Sequence, residues 1–341
     1  MHFANTYMAD LKFCAHYPFS DEAKAYVKQK NMQIGEEALK GAKERLAQGL
    51  REGEIKTAST SLQSELEMQV QYYAASRAIL AAWGNNYAKR RMAVAESKAA
   101  SRYLSSSHER NAGYVKKVAS LFGMEFLEDE KDAQKFYLPF YHYLLYTPRD
   151  IHFKLSNMEL KNGLVKVTQR QKERILEEAI RKRLEDSHLP KMKNPPEEIK
   201  KIIMQLQPLL PKEVIEPIKI EKKDFPPCIL QMVDNLTSSI NVPHSGRLAL
   251  AIYLIKAGLT NEQINAIFSH APDYSKETTL YQIEYIRKKE YSMPSCNTMD
   301  TYGICMAECR CNNPARYREA IHGKYAKLSM EKRGASSRGD G

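Results

Sequence analysis

Six cysteines occupy this chain, and four of them crowd one stretch, Cys296, Cys305, Cys309 and Cys311 in PSCNTMDTYGICMAECRCNNPARY. Cys228 stands upstream in DFPPCIL and Cys14 lies near the N-terminus. Clustered thiols oxidise unless something binds them, so a metal centre is expected. Between Cys296 and Cys305 lie eight residues, then three before Cys309 and one before Cys311. Structural zinc sites normally use Cys-x2-Cys knuckles, whose short turn aims two thiolates at one ion, and no such pair is present. Iron–sulfur clusters are larger and accept single thiolates from separated loops and helix ends. Spacing therefore ranks an iron–sulfur cluster ahead of zinc, with unligated thiols as the third reading. Cys228, after Pro-Pro at a helix start, reads either as a small buried hydrophobe or as a thiolate stabilised by the helix N-terminus.

The elements that must position these residues are mainly helical. Helices are expected over 20–30, 36–51, 59–83 and 88–104, with a Ser-Asp-Glu start at Ser20 and a C-cap glycine at Gly84. FKLSNMELKNGLVKVT alternates apolar and polar residues around Asn162-Gly163, a hairpin signal, and a charged helix follows over 169–186. Eight prolines between residues 190 and 227 suggest a linker over 191–224 carrying one short helix, 197–206. Further helices are expected over 228–240, 245–257 and 274–291, with a Thr260–Gln263 capping box opening another. After Pro294 the chain turns loop-like, and the polar tail over 327–341 should be disordered. The fold class is mainly α: a helical N-terminal domain over 1–190 with one small β element, and an all-α C-terminal domain over 225–326.

A net charge of +11 favours polyanionic partners, although a solvated basic surface gives the same number. No run of about 18 apolar residues exists, so no membrane partner is expected. MHFANTYMADLKF lacks a basic stretch followed by an apolar core, so no secretory signal is expected and a reducing, cytoplasmic setting follows.

In order along the chain, FPPCI, PHSGRLALAIYLIKAGLT, YQIEYI, PSC, YGIC and Cys-x4-Pro-x2-Tyr resemble the C-terminal iron–sulfur domain of the archaeal and eukaryotic DNA primase large subunit. HYPFSDEAKAYV, YYAASRAILAAW and RMAVAESKAA are similar to its N-terminal half, and the compact chain resembles archaeal members. The resemblance implies a regulatory subunit with no catalytic residues of its own, whose N-terminal domain docks a small catalytic subunit. It implies a 4Fe-4S cluster on Cys228, Cys296, Cys305 and a fourth cysteine. Cys309 fits the family spacing to the following proline better than Cys311, which is the alternative. It also implies contact with single-stranded template and initiating nucleotides, and support for primer synthesis and primer-length control.

On that resemblance His244 and Arg247 match basic residues near bound phosphates, and Tyr281 matches a tyrosine near the nucleic acid. Arginine offers a forked phosphate contact and tyrosine a ring for stacking. Lys256, Arg287 and Lys288 are additions on charge alone. Each basic residue has a plainer reading as a solvated side chain, and Tyr281, with Tyr285 at i+4, as part of a packed face. Tyr17-Pro18-Phe19 is expected to be structural. Arg77 and Glu96 suit a buried ion pair or a partner contact. Glu177-Glu178 and Glu197-Glu198 are read as solvent-facing. Two other functions compete: a stand-alone iron–sulfur or radical-type enzyme, against which stands the missing Cys-x3-Cys-x2-Cys triad, and a zinc-stabilised DNA-binding module.

Overall fold

Helix starts follow the side chains able to accept an orphaned backbone N–H. The computed structural model describes residues 10–57, 61–105, 109–129, 132–148, 150–190, 192–211, 225–305, 309 and 311–317. The Asp10 carboxylate opens α1 (Leu11–His16) and the Ser20 hydroxyl opens α2 (Asp21–Gln29). Next come α3 (Glu36–Glu52) and α4 (Gln63–Trp83), which end at left-handed Gly53 and Gly84, then α5 (Asn86–Ser105) and α6 (Glu109–Ser120). Spacing alone did not suggest α1 or α6. The chain divides into two units, Met1–Leu210 and Pro211–Gly341.

In the first unit the alanines of α5 feed two cores. Ala88, Ala95 and Ala99 pack with residues of α3 and α4, while Ala93, Ala100 and Leu104 join a core completed by α8 (Gln169–Asp186). Small side chains let helices approach on both sides, so α5 is the central post. Tyr17 and Phe19 are buried in the same core as α8, in agreement with their structural reading. Glu96 forms a buried ion pair, but with Arg45 of α3 rather than with Arg77: Arg45 Nε and Nη2 donate to the carboxylate at 2.7 and 2.6 Å. Arg77 donates to the Ser187 hydroxyl at 2.5 Å instead.

The β element is larger than expected. Strands β1 (Leu127–Asp129), β2 (Asp132–Pro139), β3 (Leu160–Lys161) and β4 (Leu164–Thr168) form an antiparallel sheet in the order β1-β2-β4-β3. Asn162 and Gly163 turn β3 into β4 with φ of 51° and 77°, as a two-residue hairpin requires. The β1–β2 hairpin carries no alternation signal, because the charged run EDEKDAQK hides it. Phe136 faces Val167 and Leu138 faces Val165 across the β2–β4 pair, and all four are buried in the core with α8. Glu178 of α8 corrects another reading: it is 5% exposed and paired with Arg181, because its face of the helix turns inward.

Helix α7 (Phe140–Tyr146) follows β2 directly. The short helix α9 (Glu197–Leu206) is no free linker element. Ile199, Ile202 and Leu206 pack into the core of α3, α4 and α5, so the first unit extends beyond residue 190. The rest of the expected linker, 212–224, and the tail, 327–341, lie outside the described residues.

The second unit is helical among its described residues: α10 (Pro227–Thr237), α11 (His244–Lys256), α12 (Asn261–Phe268), α13 (Lys276–Lys289) and α14 (Cys296–Thr301). The Thr260–Gln263 capping box opens α12. Gly246 lets α11 approach its neighbours; a Cβ there would sit 2.9 Å from Val242 Cγ1 and 3.4 Å from Met232 Sδ. The core gathers Ile229, Met232, Leu250, Ile264, Ile283 and Met299.

Candidate metal centre and nucleic-acid face

Cys228 is the second residue of α10, at the helix end where backbone N–H groups favour negative charge. Ser295 caps α14, so Cys296 is its first residue, which corrects the loop expected there. Asn312 then stitches the last cysteine segment to that helix, its carbonyl accepting from the Cys296 N–H at 2.9 Å. Asn313 adds a second tie by donating from its side chain to the Met293 carbonyl at 3.2 Å.

These ties bring the thiols together. Cys311 Sγ lies 3.4 Å from Cys296 Sγ and 3.2 Å from Cys309 Sγ. Burial pushes the Cys228 thiol up to about 12, and the charges of Cys305, Cys309 and Cys296 add to the rise. Burial likewise raises the Cys296 and Cys311 thiols. No cysteine of the described residues is in a disulfide. Cys296, Cys309 and Cys311 are thus in contact, and Cys228, in the same core as Cys305, feels the charge of Cys296, Cys305 and Cys309. A cationic centre would favour these thiols as thiolates, and an all-sulfur donor set is soft. Among the described residues no group of three or more His, Cys, Asp or Glu is pre-assembled in metal-holding geometry. Cys14 stands apart, buried in the first unit, where burial lifts its thiol to about 12 as expected of an inert core residue.

A cavity of about 260 Å³ in the second unit brings His244, Arg247 and Tyr281 together with Tyr285 and Tyr291. His244 begins α11 and is exposed. Arg247, one turn on, is clamped: Nε donates to the Val242 carbonyl at 2.8 Å, and Nη2 donates to both Asp273 oxygens at 2.7 and 2.9 Å and to Asn241. Nη1 takes none of these partners and remains to donate to a ligand oxygen. Tyr281 is 68% exposed, so the packed-face reading does not hold. Lys256 and Arg287 do not line the cavity. Lys256 ends α11, about 18 Å along the helix from His244. Arg287 donates to Asn261 Oδ1 and to the Leu259 carbonyl, tying α13 to the start of α12.

The family model that describes the C-terminal domain of the eukaryotic and archaeal DNA primase large subunit matches residues 218–335. The DNA primase large subunit PriL of Methanosarcina mazei is 31% identical, over 87% of this chain and 84% of the relative. That of Methanococcoides burtonii is 32% identical over 87% and 88%, and that of Halobacterium salinarum 26% identical over 86% and 87%. The chain belongs to the archaeal-type DNA primase large-subunit family. The family match covers Cys228, Cys296, Cys305, Cys309 and Cys311 as well as the cavity residues.

Sequence reasoning missed several residues that build this large subunit's candidate site. Asp273, in the turn HAPDY, orients Arg247, and Asn312 and Asn313 position the last cysteines. A turn acid and an Asn-Asn-Pro run carry no spacing signal; only their folded neighbours reveal them. In the first unit, Phe140, Tyr141, Leu144 and Leu145 of α7 are each 44–57% exposed and form one apolar face. No helix of the described residues is long and apolar enough to cross a membrane.

Proposed function

We propose that this chain is the non-catalytic, regulatory large subunit of a primase heterodimer, one that binds template and initiating nucleotides and supports RNA primer initiation and primer-length control by a small catalytic subunit. The convergence of Cys228, from the first helix of the second unit, with cysteines from that unit's end carries the reading. Cys228, Cys296, Cys305 and Cys309 would hold a 4Fe-4S cluster. Cys309 is preferred to Cys311 because its spacing to the following Pro314 fits the family pattern better. When bound, such a cluster supplies a covalent clasp between the start and end of the unit. His244 and Arg247 would contact phosphates and Tyr281 would stack on a base. The apolar face of α7 would dock the small subunit, since a contiguous exposed apolar patch marks an interaction site.

Co-expression with a small catalytic primase subunit tests this reading. A 1:1 complex carrying about four irons per large subunit is expected. Leu144→Asp combined with Leu145→Asp should abolish co-purification while leaving the melting temperature unchanged. Failure of the wild-type pair to associate would overturn the heterodimer, and undiminished association of the double variant would remove α7 from the interface. The tight grouping of Cys296, Cys309 and Cys311 favours the zinc-stabilised module as second reading. A colourless protein holding one zinc and no iron would establish it.

A further inference from the structure

Beyond Tyr281, helix α13 and the residues after it carry two more exposed tyrosines in line. Tyr285 is 43% exposed and Tyr291 is 41% exposed. Large aromatic side chains so open to water forgo the free energy of burial. The Tyr281 and Tyr285 rings lie within 21° of parallel, with centroids 6.3 Å apart. Tyr291 continues the row 6.3 Å beyond Tyr285, tilted by 47°.

Three further observations point to what the row meets. All three tyrosines line the same cavity as His244 and Arg247. Lys289 Nζ lies 5.9 Å from the Tyr285 ring centre, and Lys288 and Lys289 are both exposed beside the row. The centroid spacing is close to twice the ~3.4 Å rise per nucleotide of a stacked strand, so the row matches the step of a nucleic-acid strand. A protein helix would bury such rings against aliphatic side chains, yet this face offers cations and hydroxyls at its edges. The combination of open rings, flanking ammonium groups and a guanidinium at one end fits a single strand with unpaired bases.

We propose that Tyr281, Tyr285 and Tyr291 form a stacking track for unpaired bases, which leads a single strand away from the His244–Arg247 pocket towards Lys288 and Lys289. The track rests on the nucleic-acid reading above and extends it from one ring to three. Stacking is indifferent to base identity because every base has a π-face, so the track holds template without reading its sequence. The pocket fixes a phosphate, and the track sets how many nucleotides beyond it are ordered.

The test is fluorescence anisotropy with the full chain and a labelled oligothymidylate, alongside the same strand carrying abasic positions. Tyr285→Leu and Tyr291→Leu should each weaken binding of the intact strand roughly tenfold, by the usual worth of one stacked base. The salt dependence should stay unchanged, since no phosphate contact is lost. Tyr285→Phe keeps the ring and should bind as the wild type does. The abasic strand should bind the wild type weakly and lose little further with either leucine variant. Leucine variants that bind the intact strand like the wild type would overturn the track. So would losses as large for the abasic strand as for the intact one, because these would mark a structural or charge effect. A wild-type protein that binds neither strand would overturn the underlying nucleic-acid reading itself.

Discussion

Replacing Arg247 by alanine probes the phosphate pocket at its most constrained side chain. The guanidinium is held on one edge by Val242, Asn241 and Asp273, which leaves Nη1 for a ligand. A hydrogen bond to a charged group contributes about 1.5–3 kcal/mol, so Arg247→Ala should weaken template binding by roughly 10- to 150-fold. One lost phosphate contact on a single strand should flatten the slope of log affinity against log salt by about 0.7. The variant also strips Asp273 and the Val242 carbonyl of a partner. Arg247 and Asp273 are 23% and 35% exposed, so water can replace the lost bonds and the fold should lose only about 1 kcal/mol. For a domain of this size that lowers the melting temperature by about 4–8 °C. Asp273→Asn separates orientation from charge. Asparagine keeps an acceptor for Nη2 but removes a negative charge beside the pocket; at an assumed separation of ~7 Å from a phosphate that charge is worth ~0.6 kcal/mol in a water-like medium. Affinity should therefore rise two- to threefold. Anisotropy titrations at several salt concentrations read both numbers. An unchanged affinity and salt slope in Arg247→Ala would refute the pocket assignment. A loss in Asp273→Asn as large as that in Arg247→Ala would refute the positioning argument.

Cys228→Ser should lose the cluster, read as iron content and visible absorbance, and should lower the melting temperature of the second unit; full iron retention would remove Cys228 from the ligand set. Cys311→Ser should leave iron in place if Cys309 is the fourth ligand, and iron loss would exchange the two. Glu96→Gln leaves the buried Arg45 charge uncompensated and should cost about 3–5 kcal/mol by denaturant unfolding. Substituting both partners with apolar residues should recover most of that. His16 stacks on Tyr103 with ring centroids 3.5 Å apart, its Nδ1 is buried without a partner, and burial lowers its pKa to about 4. Because the folded value lies below the unfolded one, this histidine's contribution is fully present above pH 6.5 and is lost as pH falls towards 4. His16→Phe should remove that part of the acid sensitivity, and an unaltered pH profile would show that other groups carry it.

Local chemistry determined much of this protein from the sequence alone. Ser20, Gly84, Asn162-Gly163 and the Thr260 box act within a few residues of themselves, so their elements were legible before any tertiary structure. Cysteine spacing, with no Cys-x2-Cys pair, argues against a zinc knuckle. The first hairpin, α7 and the place of α9 were not legible, because charged runs and short apolar segments take their meaning from what they pack against. The same holds for Glu96, whose partner is Arg45, 51 residues away, rather than Arg77. Asp273 clamping Arg247, 26 residues away, is also a long-range fact. Each depends on which helix faces turn towards one another, and that is decided by burial across the whole unit rather than by neighbours in the chain.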